Sequence, residues 1–131
     1  MGIFNGLFGK TKNKTKEEAK QVPWKPLVSV DQLEEIVEKS NIRTQLIFKH
    51  STTCGISRMV LNTFNANYDF TIDVFDLYFL DLHGNREVSN QASYKFQVIH
   101  QSPQLLVIRN GVVVAHGSHG GINDIDLVKH L

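Results

Sequence analysis

Apolar positions along the chain follow two rhythms, and the switches between them outline the elements. Leu33, Ile36 and Val37 recur at helical spacing behind Asp31, a good N-cap residue, and the pattern stops near Ser40-Asn41. Thr44–Lys49, with Leu46, Ile47 and Phe48 in succession, reads as a short buried strand. Ile56, Met59, Val60 and Phe64 restore the helical rhythm as far as Asn67. Asp73 to Leu82 is aromatic and β-branched over too long an apolar run for a surface strand, so a central buried strand with a polar start is expected. A helix beginning at Arg86 or Ser89 turns Val88, Ala92 and Phe96 inward, and Gln104–Arg109 is another apolar strand. Asn110-Gly111 is a strong hairpin signal because both turn positions need positive φ, so Val112–His116 returns antiparallel. After the break at Gly120-Gly121, the positions Ile122, Ile125, Leu127, Val128 and Leu131 predict a closing helix. Upstream, Pro23-Trp24-Lys25-Pro26 favours extended backbone and Leu27–Val30 a short edge strand.

The order is helix, strand, helix, strand, helix, hairpin, helix. Right-handed crossovers make the first two core strands parallel neighbours, and the hairpin adds an antiparallel edge. The expected fold is α/β and thioredoxin-like: a mixed sheet with a C-terminal antiparallel hairpin and helices on both faces.

Composition narrows the class. The 131 residues are 41% apolar, enough for one conventional domain, expected over 23–131. The net charge of +1 conceals a split, since residues 1–25 carry +4 and the remainder −3. A basic tail on a mildly acidic body does not describe a nucleic-acid-binding domain. Residues 1–22 read as a basic, flexible tail: Ile3, Phe4, Leu7 and Phe8 are too few to span a bilayer, and the lysines follow them, unlike a signal peptide. Met1-Gly2 starts like a myristoylation site, but Gly6 stands where Ser or Thr is needed. Contact of this amphipathic segment with an anionic membrane or a partner is the minor reading, and a solvated tail the major one. One cysteine excludes an intrachain disulfide and any multi-cysteine metal site built by a single chain, and favours a reducing, cytoplasmic setting.

That cysteine carries the candidate chemistry. Cys54 lies where the strand ending at Phe48-Lys49-His50 passes through Ser51-Thr52-Thr53 into a helix. Each of these three hydroxyl residues is a plausible N-cap, and the positive end of the helix dipole favours a thiolate at Cys54. Ser57, in Cys54-Gly55-Ile56-Ser57, stands where a two-cysteine oxidoreductase keeps its resolving thiol. With no other cysteine in the chain, a disulfide formed at Cys54 must be resolved from outside. Ser102-Pro103 precedes the third core strand, where a thioredoxin-like fold places a cis proline facing the thiol. His119-Gly120-Gly121, before the last helix, offers bare N–H groups to a carboxylate. Arg58 falls one turn after Cys54, while Lys49 and His50 end the strand beside it and are candidates for raising the local potential. His116 and His119 are spaced like a metal pair, but Gly-Ser between them and the absence of nearby acidic ligands make a bound metal unexpected.

Phe48-Lys49-His50-Ser51-Thr52-Thr53-Cys54-Gly55-Ile56-Ser57, Val88-Ser89-Asn90-Gln91 and Gln101-Ser102-Pro103-Gln104 together resemble the monothiol bacilliredoxins over roughly residues 25–131. The resemblance implies a cytoplasmic, monomeric thiol-disulfide oxidoreductase of redox homeostasis and stress response. It would remove bacillithiol from S-bacillithiolated proteins, with bacillithiol as co-substrate, no bound cofactor, and a dithiol reductase as an alternative means of release. Cys54 is then the nucleophile. Thr53, Gly55, Ser57, Arg58, Ser102, Pro103, His119, Gly120 and Gly121 form the substrate surface, with Arg58 facing a malate carboxylate of bacillithiol or the thiolate itself. The departure is Gly55, where the family motif usually reads Thr-Cys-Pro-Ile-Ser; losing that proline frees the helix start and bears on redox poise. Cys-Gly-Ile-Ser also resembles the Cys-Gly-Phe-Ser site of monothiol glutaredoxins, which hold a [2Fe–2S] cluster between two subunits. Against that alternative, no proline stands two residues before Cys54, and Lys49 lies closer to the cysteine than that family places its lysine. A non-catalytic thioredoxin-like binding module is the third reading.

Overall fold

The computed structural model describes residues 22–131, so the expectations for the basic tail lie outside the described residues. Its centre is β2 (Gln45–His50), in which every residue is buried. β3 (Asp76–Asp81) runs parallel to it from Gln45 opposite Asp76 to His50 opposite Asp81. β4 (Gln104–Arg109) lies antiparallel on its other side, with Lys49 opposite Gln104. β5 (Val112–Ser118) follows β4 through a turn in which Asn110 and Gly111 adopt φ of 55° and 82°. β1 (Lys25–Pro26) pairs with β3, giving the order β1-β3-β2-β4-β5. The segment at 73–82 supplies an interior strand, β3, between β1 and β2, although the middle strand is β2 and β3 starts only at Asp76, after Thr71 and Asp73 close a turn on each other at 2.6 Å. The edge strand also sits two residues earlier than Leu27–Val30, although the Leu27 N–H still reaches the Phe79 carbonyl at 2.9 Å.

Alternation along the strands divides the core. On one face Ile47, Leu106 and Ile108 meet Leu33 and Ile36 of α1 (Asp31–Lys39) and Val88, Ala92 and Phe96 of α3 (Arg86–Phe96). On the other, Leu46, Phe48, Leu105 and Val107 meet Val60 and Phe64 of α2 (Gly55–Asn67) and Ile122. Each large side chain buried this way stabilises by about 1.5–3 kcal/mol, which sets the register firmly. Trp24 joins the second cluster, its ring centroid 5.8 Å from Phe48 and 5.7 Å from Phe64, and its indole N–H donates to Asn65 Oδ1 at 3.0 Å. Asp31 is the first helical residue of α1, not its cap; an acid there still complements the dipole.

The closing helix does not form. Ile122 lies on a short 3₁₀ turn, His119–Asp124, and Leu127 and Val128 on a second, Leu127–His130, while Ile125 and Leu131 fall just past their ends. A tight approach governs this end: a side chain at Gly117 would place its Cβ 2.9 Å from the Gly121 carbonyl oxygen. Ile122 nevertheless reaches the core, and the chain needs only one turn to bury it.

Candidate active site

The end of β2 divides the site between the two faces of the sheet. His50 points toward α2, where its Nδ1 lies 2.8 Å from Ser57 Oγ, and the same oxygen accepts the Ser51 N–H at 3.2 Å. Ser57 has no exposed surface. The substrate contact expected of Ser57 does not match this placement, since its hydroxyl is committed to the inside of the loop. Burial holds His50 below the ordinary histidine value; Asp81 opposes the shift, and Arg58 and His83 add to it. The ring is therefore neutral near pH 7 and adds no positive charge beside the thiol.

Cys54 is the N-cap residue of α2, half-buried and extended at φ −105°, ψ 119°. None of Ser51, Thr52 or Thr53 caps the helix, because the chain turns one residue later than expected. The loop hydroxyls bond elsewhere. His83 Nε2, from the loop after β3, lies 3.1 Å from both Ser51 Oγ and Thr53 Oγ1. The Cys54 N–H donates to the Ser51 carbonyl at 3.2 Å, which completes the turn. The thiol thus stands at the positive end of the dipole of a 13-residue helix. Gly55 opens that helix with clear space around it, and exposed Arg58 follows one turn on. Gly55, Arg58, Met59, Asn62, Thr63 and Ala66 line a shallow groove of about 460 Å³ running away from the thiol.

Ser102 and Pro103 lie at the same end of the sheet, since β4 begins at Gln104 opposite Lys49, and their peptide bond is cis. Pro103 is buried and its carbonyl accepts the His119 N–H at 3.0 Å. The His119 N–H is therefore not bare, and the six-residue 3₁₀ turn it begins is not the helix start expected to receive a carboxylate. His119 thus holds the carbonyl of the proline, and Gly120 and Gly121 continue the turn behind it. His116 lies on β5 facing the α3 side with Ser118, and no group of three or more potential metal ligands occurs among the described residues.

Lys49 points away from the thiol. It has no exposed surface, and its ammonium donates to Ser93 Oγ of α3 at 2.8 Å and lies 3.2 Å from His100 Nδ1. Desolvation lowers its pKa to about 8. Sequence reading missed His83, Ser93 and His100. Their contacts with Ser51, Thr53 and Lys49 span 30 to 51 residues, and no local pattern links them.

A lone cysteine capping the first helix after the central strand, with a proline loop alongside, defines a thiol oxidoreductase of thioredoxin fold. Among solved structures, the chain is 34% identical to a protein described provisionally as an oxidoreductase with a thioredoxin fold, over 79% of this chain and 89% of that one, with a TM-score of 0.67. Thioredoxins from Malassezia sympodialis (17% identity, covering 77% and 83% of the two chains, TM-score 0.62) and Schistosoma mansoni (19%, covering 86% and 96%, TM-score 0.60) share the fold. Residues 25–127 match the family Monothiol bacilliredoxin BrxC. The chain belongs to the monothiol bacilliredoxin family. No helix among the described residues is long and apolar enough to cross a membrane.

Proposed function

We propose that this protein removes bacillithiol from protein mixed disulfides, with Cys54 as the sole redox thiol. The observation that carries the reading is the pairing of a helix-capping cysteine with a serine, not a second thiol, one turn on, and that serine is sealed inside the loop. The Cys54 thiolate attacks the bacillithiol sulfur of the mixed disulfide, and the protein thiolate leaves and takes up a proton. A second bacillithiol, as thiolate, then attacks the sulfur held on Cys54, releasing bacillithiol disulfide and regenerating the thiolate. Each step exchanges one disulfide for another, so the only reductant consumed is bacillithiol. Thr53, Gly55 and Arg58 offer polar and cationic groups to the incoming thiol, and Ser102-Pro103 forms the opposite wall. Membership of the bacilliredoxin family supports the choice of thiol.

Intact-mass spectrometry tests it. Mixing the protein with a bacillithiolated substrate should place one bacillithiol on Cys54, and free bacillithiol should then clear it. Reduction of the substrate with no adduct on Cys54 would refute the monothiol route.

A further inference from the structure

Among the described residues, Lys49 is a buried cation without an anion. Among the described residues no carboxylate lies within 4 Å of its ammonium, whose partners are Ser93 Oγ and His100 Nδ1. A desolvated charge held only by neutral partners is a poor source of stability, and an apolar side chain of similar length would do as well or better. What the ammonium does supply is geometry. Ser93 belongs to α3, whereas His100 is exposed and lies three residues before Pro103.

Gln104, directly opposite Lys49 on β4, makes a second tie. It is 1% exposed, and its side-chain amide donates to the Ile99 carbonyl at 3.0 Å. The backbone N–H of Val98 is taken by the Ser93 carbonyl at 3.2 Å. Two contacts thus hold the short segment between α3 and Pro103 on the sheet, and a third ties it to the end of α3. That segment carries Ile99 outward, 83% exposed. A small disulfide held at Cys54 has no need of such a wall. Ile99 is the exposed apolar group that this segment offers to a folded protein arriving as a mixed disulfide.

We propose that Lys49 is a positioning residue for protein substrates, fixing through His100 and Ser93 the wall that leads into Pro103. It acts on the side of the sheet opposite the thiol, so it selects the protein moiety without touching the reacting sulfurs. The other groups facing this contact are Ser89, whose Oγ lies 3.4 Å from His100 Nδ1, and Arg86, whose charge acts with that of Lys49 and with burial to hold His100 below the ordinary histidine value.

The inference rests on the proposed de-bacillithiolation, and two readouts keep the two separable. In the protein alone, nitrogen-detected NMR should show the His100 titration moving upward in Lys49→Met. With a bacillithiolated protein as substrate, Lys49→Met should raise KM about five- to tenfold and leave kcat and the iodoacetamide rate at Cys54 within about twofold, as expected when positioning alone is lost. His100→Ala, a change at an exposed residue, should reproduce the KM effect, and His100→Gln, which retains an acceptor, should recover part of it. An unmoved His100 titration, an unchanged KM, or an alkylation rate that falls in step with KM would each overturn the assignment. A wild-type protein that leaves the bacillithiolated substrate untouched would instead sink the proposed reaction, while the His100 shift would still report on the contact.

Discussion

Ser57→Ala is the most informative single change at the site. The substitution removes one oxygen, but that oxygen serves two groups: it accepts the Ser51 N–H at 3.2 Å and lies 2.8 Å from His50 Nδ1. His50 is only 6% exposed, so water cannot easily replace the lost partner. A buried polar atom left unpaired costs about 1–3 kcal/mol, and the hydrogen bond to Ser51 contributes about 1 kcal/mol more. The variant should therefore be destabilised by about 2–4 kcal/mol in urea or thermal unfolding. The loss should be local as well as global: amide exchange at Ser51 should accelerate in the native state, because the Cys54 loop is no longer tied to β2. Ser57→Cys should recover little of this, since a thiol is a weak acceptor. A Ser57→Ala protein within about 0.5 kcal/mol of wild type, the range of an ordinary surface substitution, would refute the claim that this serine is a structural latch.

Two further outcomes follow from burial and backbone. Lys49 loses its proton near pH 8 in the folded chain but near its ordinary 10.5 when unfolded. Between those values the unfolded chain binds the extra proton, so stability rises with pH, by up to about 3 kcal/mol at 1.36 kcal/mol per unit. Lys49→Met should flatten that rise, and equal slopes in the two proteins between pH 8 and 10 would count against a buried ammonium. Gly55→Pro fills open space at the first helical position, where proline is well tolerated, and should add about 0.4–1 kcal/mol in thermal unfolding. A loss of stability there would mean that the backbone at Gly55 does not have the helical φ that proline requires.

The sequence made the framework legible wherever a local rule applied. Asn110-Gly111 forms the hairpin because its two residues tolerate the positive φ that the turn demands. The strand ending at His50 and the helix from Gly55 bracket Cys54 as the change of periodicity implied. Failures came where tertiary geometry overrode pattern. The C-terminal apolar residues suit a helix, but the close approach of Gly117 to Gly121 and the bond from His119 to Pro103 turn the chain into 3₁₀ structure. Ser51, Thr52 and Thr53 all looked like caps, yet Ser51 and Thr53 turn to His83, a partner 30 or more residues away. The direction of Lys49 was also hidden, because which face a strand residue takes depends on a register that the end of a six-residue buried run does not reveal.

The last two residues of β2 show how a single cysteine can serve a site built from two sides of a sheet. Neighbouring strand residues point to opposite faces, so Lys49 and His50 reach in opposite directions from adjacent Cα atoms. His50 meets Ser57 and fixes the loop that carries the thiol. Lys49 meets His100 and Ser93 and fixes the approach to the proline. Both side chains are buried and polar, and among the described residues neither is paired with a carboxylate, so stability alone would favour apolar residues at both positions. Their joint effect is to make the spacing between the thiol loop and the proline loop a property of one rigid strand. In the proposed mechanism, with no second thiol in the chain, release depends on an external thiolate approaching the sulfur bound to Cys54 in line. For that in-line approach the proposed mechanism needs both loops tied to one frame. Placing both anchors on the most buried strand meets that requirement with two side chains.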